Sequence, residues 1–144
     1  MEINIVNVQE NYIDAIFEIE SKEIIVPWSK ESLLNLIRQQ NIIFRAMLLD
    51  DEVVGYYSFQ KVFEEGYINN LAIRRDLQSQ GLGTKLFEDL LERAEKFEIK
   101  ALTLEVETDN EKAIALYKKF GFQIEGTRKN FYKNTKDAYI MWKR

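Results

Sequence analysis

The stretch from Tyr67 to Val106 constrains the fold more than any other part of the chain. Tyr67 to Ile73 reads as a strand, and Gln78-Ser79-Gln80-Gly81-Leu82-Gly83 follows as a glycine-containing loop. Leu86, Phe87, Leu90, Leu91, Ala94 and Phe97 then recur at helical spacing, and Ala101 to Val106 reads as a second strand. Two strands joined by one helix pair in parallel within a single sheet, through a right-handed crossover.

The flanking sequence supplies the rest of that sheet. Ile3 to Val8 alternates like a strand, and Ile13, Ile16, Phe17 and Ile19 mark a first helix. Ser29 is placed to cap a second helix with Leu33, Leu34 and Ile37 as its stripe. Ser32 stands where a capping box would need Glu or Gln. Phe44–Leu49 and Val53–Val62 flank the polar turn Asp50-Asp51-Glu52 and predict an antiparallel hairpin. After Val106, Asn110 caps a helix running to Phe120, and Gly121 supplies its left-handed end. Phe122–Thr127 and Ala138–Trp142 are the last strands. The expected architecture is α/β: one mixed sheet with helices on both faces, as a single domain over residues 1–144.

Composition narrows the chemistry by exclusion. The chain has no Cys and no His, so zinc sites built on thiolates and imidazoles are excluded, as are Ser-His-Asp triads and Cys-His dyads. No metal is expected, and acid–base work falls to Asp, Glu, Lys or Tyr. The net charge of −4 argues against nonspecific nucleic-acid binding, which needs a basic surface. No apolar run nears the roughly 20 residues that span a bilayer. Met1 to Glu10 lacks the basic and apolar regions of a signal peptide, so a cytoplasmic protein is expected.

In the loop, glycines at 81 and 83 let backbone turn tightly and approach a ligand. The first amides of the helix behind it offer donors and a partial positive charge to a phosphate, and Thr84 adds a hydroxyl. A dinucleotide fingerprint would need glycine at Leu86. A P-loop would need Gly-Lys-Ser/Thr where Gly83-Thr84-Lys85 stands. On spacing alone, a strand-to-helix turn with glycine for geometry explains the loop equally well.

Gln78-x-x-Gly81-x-Gly83 after a strand resembles the pyrophosphate loop of GNAT acetyltransferases, and the element order matches that fold throughout. Within the superfamily, the chain resembles the ribosomal-protein-alanine N-acetyltransferase branch. The segments that carry this are Val26-Pro27-Trp28-Ser29, Asn70-Leu71-Ala72-Ile73 with the glycine loop, Leu104-Glu105-Val106 with Asn110, Ala113-Ile114-Ala115-Leu116-Tyr117 with Gly121-Phe122, and Arg128-Lys129-Asn130-Phe131-Tyr132 through Asp137-Ala138. The resemblance implies a mostly antiparallel central sheet and acetyl-CoA as cosubstrate. It implies that Gln78, Ser79, Gln80, Gly81, Leu82, Gly83 and Thr84 surround the coenzyme pyrophosphate. It further implies that Leu71, Ala72 and Ile73 carry the pantetheine arm where two parallel strands splay, with Asn110 and Tyr117 completing the site.

Period-2 alternation puts Leu102, Leu104 and Val106 on one face of their strand and Thr103 and Glu105 on the other. A glutamate near the C-terminal end of a parallel strand stands where such sheets bind ligands, or else at a solvated rim. Glu107, further out, is expected to be solvated. The resemblance gives Glu105 the place of a general base. Amide formation needs a neutral amine: about a tenth of an N-terminal amine is neutral at pH 7, against under about 1 in 1,000 for lysine. Tyr117 shares a helix stripe with Asn110, Ala113, Ile114 and Phe120 and faces inward, either as a core tyrosine or as the acid that meets the departing thiolate. The resemblance implies the latter.

Trp28 and the Asn130-Phe131-Tyr132 loop match regions that border the peptide groove in that branch, although such aromatics also serve packing. Ser79 stands where the family often has a basic residue, Glu107 where the branch often has arginine, and Asp109 where it has a small polar residue. These departures bear on the acceptor, not on the coenzyme motif. The expected reaction is direct acetyl transfer to a protein N-terminus such as that of a ribosomal protein. The alternatives are a small amine or lysine acceptor, or a noncatalytic CoA-binding module. No pattern here separates monomer from dimer.

Overall fold

Two consecutive aspartates make the first hairpin. Asp50 and Asp51 both take positive φ, at 48° and 69°. That is the backbone twist a two-residue turn needs to match its strands, and Asp tolerates it better than most residues. The computed structural model describes residues 2–24, 27–132 and 136–144. Along the chain run β1 (Ile3–Asn7), α1 (Ile13–Glu23), α2 (Lys30–Arg38), β2 (Ile42–Leu49), β3 (Glu52–Val62), β4 (Glu65–Ile73), α3 (Leu82–Lys96), β5 (Ala101–Glu107), α4 (Glu111–Lys119), β6 (Gln123–Arg128) and β7 (Ala138–Lys143). This is the order read from the sequence. Among the described residues no helix is long and apolar enough to cross a membrane.

The seven strands form one sheet in the order β1-β2-β3-β4-β5-β7-β6. Neighbours run antiparallel except β4 and β5, the parallel pair joined through α3. Helices cover both faces. Ile13, Ile16, Ile19, Leu33 and Leu36 bring α1 and α2 against Phe44, Ala46, Leu48 and Tyr56. Leu36, not Leu34 or Ile37, joins Leu33 as the buried part of the α2 stripe. On the other face Leu86, Phe87 and Leu90 of α3 are fully buried against Met47, Tyr57, Phe59, Leu102 and Leu104. Each such side chain contributes about 1.5–3 kcal/mol.

Ser29 caps α2 by accepting from the Ser32 amide at 3.1 Å, without a capping box. Asn110 caps α4 through the Ala113 amide at 3.2 Å, and Gly121 closes that helix at φ 93°. A polar pin fastens α3 to the sheet. Arg45 of β2 donates from Nε to Asp89 at 2.9 Å, and the Tyr57 hydroxyl donates to the same carboxylate at 2.6 Å. Arg45 also reaches the Asn7 side chain and the Ile5 carbonyl of β1, so one guanidinium ties two strands to one helix.

Two irregularities in β4 shape the site. Its parallel pairing with β5 lasts three rungs, Glu65↔Ala101, Gly66↔Leu102 and Tyr67↔Thr103, after which the strands share no rung. Against β3, the register passes from Ser58↔Asn70 to Phe59↔Ile68 and leaves Asn69 as an extra, bulged residue. A bulge reverses the alternation beyond it. Ile68 therefore faces α3 while Asn70 and Ala72 face α1, and Tyr67 and Asn70 lie on one face although three residues apart.

Candidate active site

The splay between β4 and β5 opens toward their C-terminal ends. From Ile68 to Ile73 the β5-facing edge of β4 carries backbone groups without a strand partner. Leu71 is half-buried with its side chain on the α3 face, while Ala72 and Ile73 are buried on opposite faces. Their side chains belong to the core, so this segment offers an extended ligand its main chain, with the Ile73 carbonyl already taken by Gln78.

The glycine loop stands at the open end. Gly81 takes φ 83° and occupies the N-cap of α3, with no side-chain cap there, in contrast to α2 and α4. The first helical bond runs from the Lys85 amide to the Gly81 carbonyl, leaving the amides of Leu82, Gly83 and Thr84 ahead of it. The Leu82 side chain is buried in the core, so it contributes backbone alone. A Cβ at Gly83 would come no nearer than 4.0 Å to Ile73, so packing within the protein does not require glycine there. Gln80 and Thr84 lie beside it, exposed and half-buried respectively. Gln78 is committed inward: its amide donates to the Ile73 carbonyl at 2.9 Å and to Glu23 of α1 at 2.8 Å. Ser79 accepts from Lys112 at 3.4 Å, which brings a cation of α4 to the loop. Asn110, exposed at the start of that helix, is occupied as its cap.

Glu105 lies on the face opposite Leu104, as alternation required. Its side chain is only 8% exposed, it accepts a hydrogen bond from the Tyr67 hydroxyl, and Arg128 of β6 stands 3.7 Å away. Burial first, then the bond to Glu105, pushes the Tyr67 phenol well above its ordinary value, so it remains a donor.

Tyr117 lies on the other face, packed at 5.5 Å from Phe87 and 6.0 Å from Phe122. Burial alone pushes its phenol up to about 12. The sheet thus separates Glu105 from Tyr117. Tyr132 lies within electrostatic reach of both. Its phenol is raised to about 12 by burial first and then by Glu107, Glu105 and Tyr117. Glu107 is not solvated as expected. Its side chain is 11% exposed and paired with Lys136 at 2.7 Å. The same ammonium meets Asp109 at 2.7 Å and holds that carboxyl below its usual range. The two acidic departures thereby hold the segment before β7 against the end of β5. Trp28 is half-buried beside α2, whereas Val26 and residues 133–135 lie outside the described residues.

A family profile for acetyltransferases (GNAT) matches residues 13–122. The chain belongs to that family. The GNAT reaction is acetyl transfer to an amine, and acetyl-CoA is the donor. The [ribosomal protein bS18]-alanine N-acetyltransferase of Escherichia coli (strain K12) is 33% identical over 132 residues, spanning 90% of this chain and 88% of that protein. A Bacillus subtilis (strain 168) protein, whose assignment to the same activity is itself provisional, is 36% identical over 138 residues, 94% of this chain and 91% of that one. The crystal structure of the Escherichia coli ribosomal-protein-S18-alanine N-acetyltransferase superposes with a TM-score of 0.90 at 29% identity, covering 98% of this chain and 92% of the other.

Sequence reading missed two neighbours of Glu105. Tyr67 and Arg128 reach Glu105 from strands on either side of it, and only tertiary pairing reveals that. The available signal was Tyr67 opening the strand that runs beside the glutamate's own.

Proposed function

We propose that the chain acetylates the N-terminal α-amine of a protein, a ribosomal protein in the first instance, with Glu105 taking the proton from the attacking amine. The observation that carries this is a nearly buried carboxylate, held by a phenol, at the point where β4 and β5 part. Support for the acceptor class comes from the two relatives, which match over nine-tenths of the chain.

In this reading the unpaired edge of β4 at Leu71 and Ile73 binds the pantetheine arm, and the amides of Leu82, Gly83 and Thr84 bind the pyrophosphate with Ser79, Gln80 and Lys112 beside them. Gln78 shapes the loop from within. The amine loses its proton to Glu105 as its lone pair attacks the thioester carbonyl. The C–N bond forms, the C–S bond breaks, and the electron pair leaves on sulfur. A phenol at about 12 does not protonate a thiolate of pKa about 8.5 downhill. Tyr117 therefore serves by donating a hydrogen bond to the departing sulfur, and the thiol proton is finally drawn from solvent.

The test is mass spectrometry of peptides incubated with purified protein and acetyl-CoA. The set contains free N-terminal Ala and Ser, and blocked-N-terminus peptides that carry lysine. Mass gain confined to free N-termini is expected. Gain on lysine alone, or on small amines alone, overturns the acceptor class.

A further inference from the structure

Glu20 is a charged residue type at zero exposure in α1, and neither the coenzyme loop nor the Glu105 cluster uses it. Three donors converge on it. The Tyr56 hydroxyl of β3 and the Asn70 amide of β4, at 3.3 Å, reach Oε1, and the Trp28 backbone N–H reaches Oε2 at 3.0 Å. Ser58 bonds the Asn70 oxygen at 2.5 Å, which turns the Asn70 nitrogen toward Glu20. Burying a carboxylate is an expensive way to fill a core, and an apolar side chain of similar volume is often as stable or more so. What such a group supplies is a fixed arrangement of the parts it joins.

Those parts flank the active site. Asn70 adjoins the bulged Asn69 on the stretch of β4 that β5 no longer pairs, and it shares a face with Tyr67. Three residues of strand put it roughly 10 Å from the Tyr67–Glu105 pair. Trp28 immediately precedes Ser29, the cap of α2, so its amide fixes where the start of α2 lies over that face. We propose that Glu20 is a positioning residue for the acceptor: it holds Trp28, at the start of α2, and the bulged β4 in one arrangement on the sheet face that carries Glu105. This rests on the acceptor-side reading of Glu105 given above. Glu20 touches no reacting atom; it acts through Trp28 and Asn70.

Glu20→Gln keeps the volume but sets an amide N–H against one of three donors. Losing a hydrogen bond of this kind corresponds to about tenfold or more in an equilibrium. The acceptor-peptide KM of the variant should rise by about that factor, with the acetyl-CoA Kd within about twofold of wild type and kcat at saturating peptide changed less than KM. Tyr56→Phe, which removes one donor and no acceptor, should raise the same KM by a smaller factor and decides the matter if Glu20→Gln does not fold. An unchanged peptide KM in the folded variants, with only the melting temperature lowered, overturns the role of Glu20 alone. Failure of the wild-type protein to acetylate any free N-terminus removes the acceptor reading, and this proposal with it.

Discussion

Tyr67 donates its hydroxyl to Glu105 from the last rung of the β4–β5 ladder, where Tyr67 stands opposite Thr103. The carboxylate is thereby held where the two strands begin to part. Glu105→Gln removes the proton acceptor with almost no change of shape, and kcat should fall by about 100-fold or more. Tyr67→Phe leaves the carboxylate and removes its holder, so a loss of about tenfold is expected. Steady-state kinetics beside coenzyme titration calorimetry check both. An equal weakening of acetyl-CoA binding would show that these residues serve the coenzyme instead.

Gly83→Ala separates ligand from fold. The added methyl would meet only an ordinary contact with Ile73, at 4.0 Å, in the free protein. Gly83 does not take positive φ, and glycine to alanine at such a compatible site stabilises by about 0.4–1 kcal/mol through the unfolded chain, so the melting temperature without ligand should hold or rise. The methyl would stand where the pyrophosphate is proposed to lie, and acetyl-CoA should bind at least about tenfold more weakly by calorimetry.

Asp89→Ala strands the Arg45 guanidinium in an interior where both side chains are 11% exposed. It also leaves the Tyr57 hydroxyl without its acceptor. Breaking a buried pair by deleting one partner costs about 3–5 kcal/mol. Urea denaturation should show a lowered midpoint, while the acceptor KM of the folded protein stays near wild type.

Alkali should unfold the protein through its phenols. Tyr117 and Tyr132 titrate near 12 in the folded chain against an ordinary 10.0, and burial raises Tyr56, Tyr57 and Tyr67 as well. Between those values the unfolded chain has lost protons that the folded chain keeps. Stability is thus fully present below about pH 10 and falls as pH climbs toward about 12. Phenolate absorbance and circular dichroism followed together should change in one transition. Phenolate formation well before loss of circular dichroism would contradict this.

The order of elements, the parallel unit and the glycine loop were legible because each rests on a local period or a local turn. The Ser29, Asn110 and Gly121 caps were legible for the same reason. What escaped is set by pairing. The extra residue at Asn69 reverses the alternation of β4, so period-2 reasoning cannot place Asn70 beside Tyr67. Glu20 reads as an ordinary polar position of an amphipathic helix until β3 and β4 bring three donors to it. Glu107 reads as a rim carboxylate until Lys136, twenty-nine residues on, folds back over it.

Among the described residues the β4–β5 ladder that joins β1 through β4 to the trio of β5, β7 and β6 is the shortest in the sheet, at three rungs. With an acetyl donor laid along the gap as proposed, the protein borrows a length of its sheet from its own substrate. Letting go of spent coenzyme is then closer to peeling away a strand than to emptying a cup. Turnover would periodically reopen the shortest ladder of the sheet, and the β4 amide hydrogens between Ile68 and Ile73 that face the gap, not those bonded to β3, would exchange in step with it.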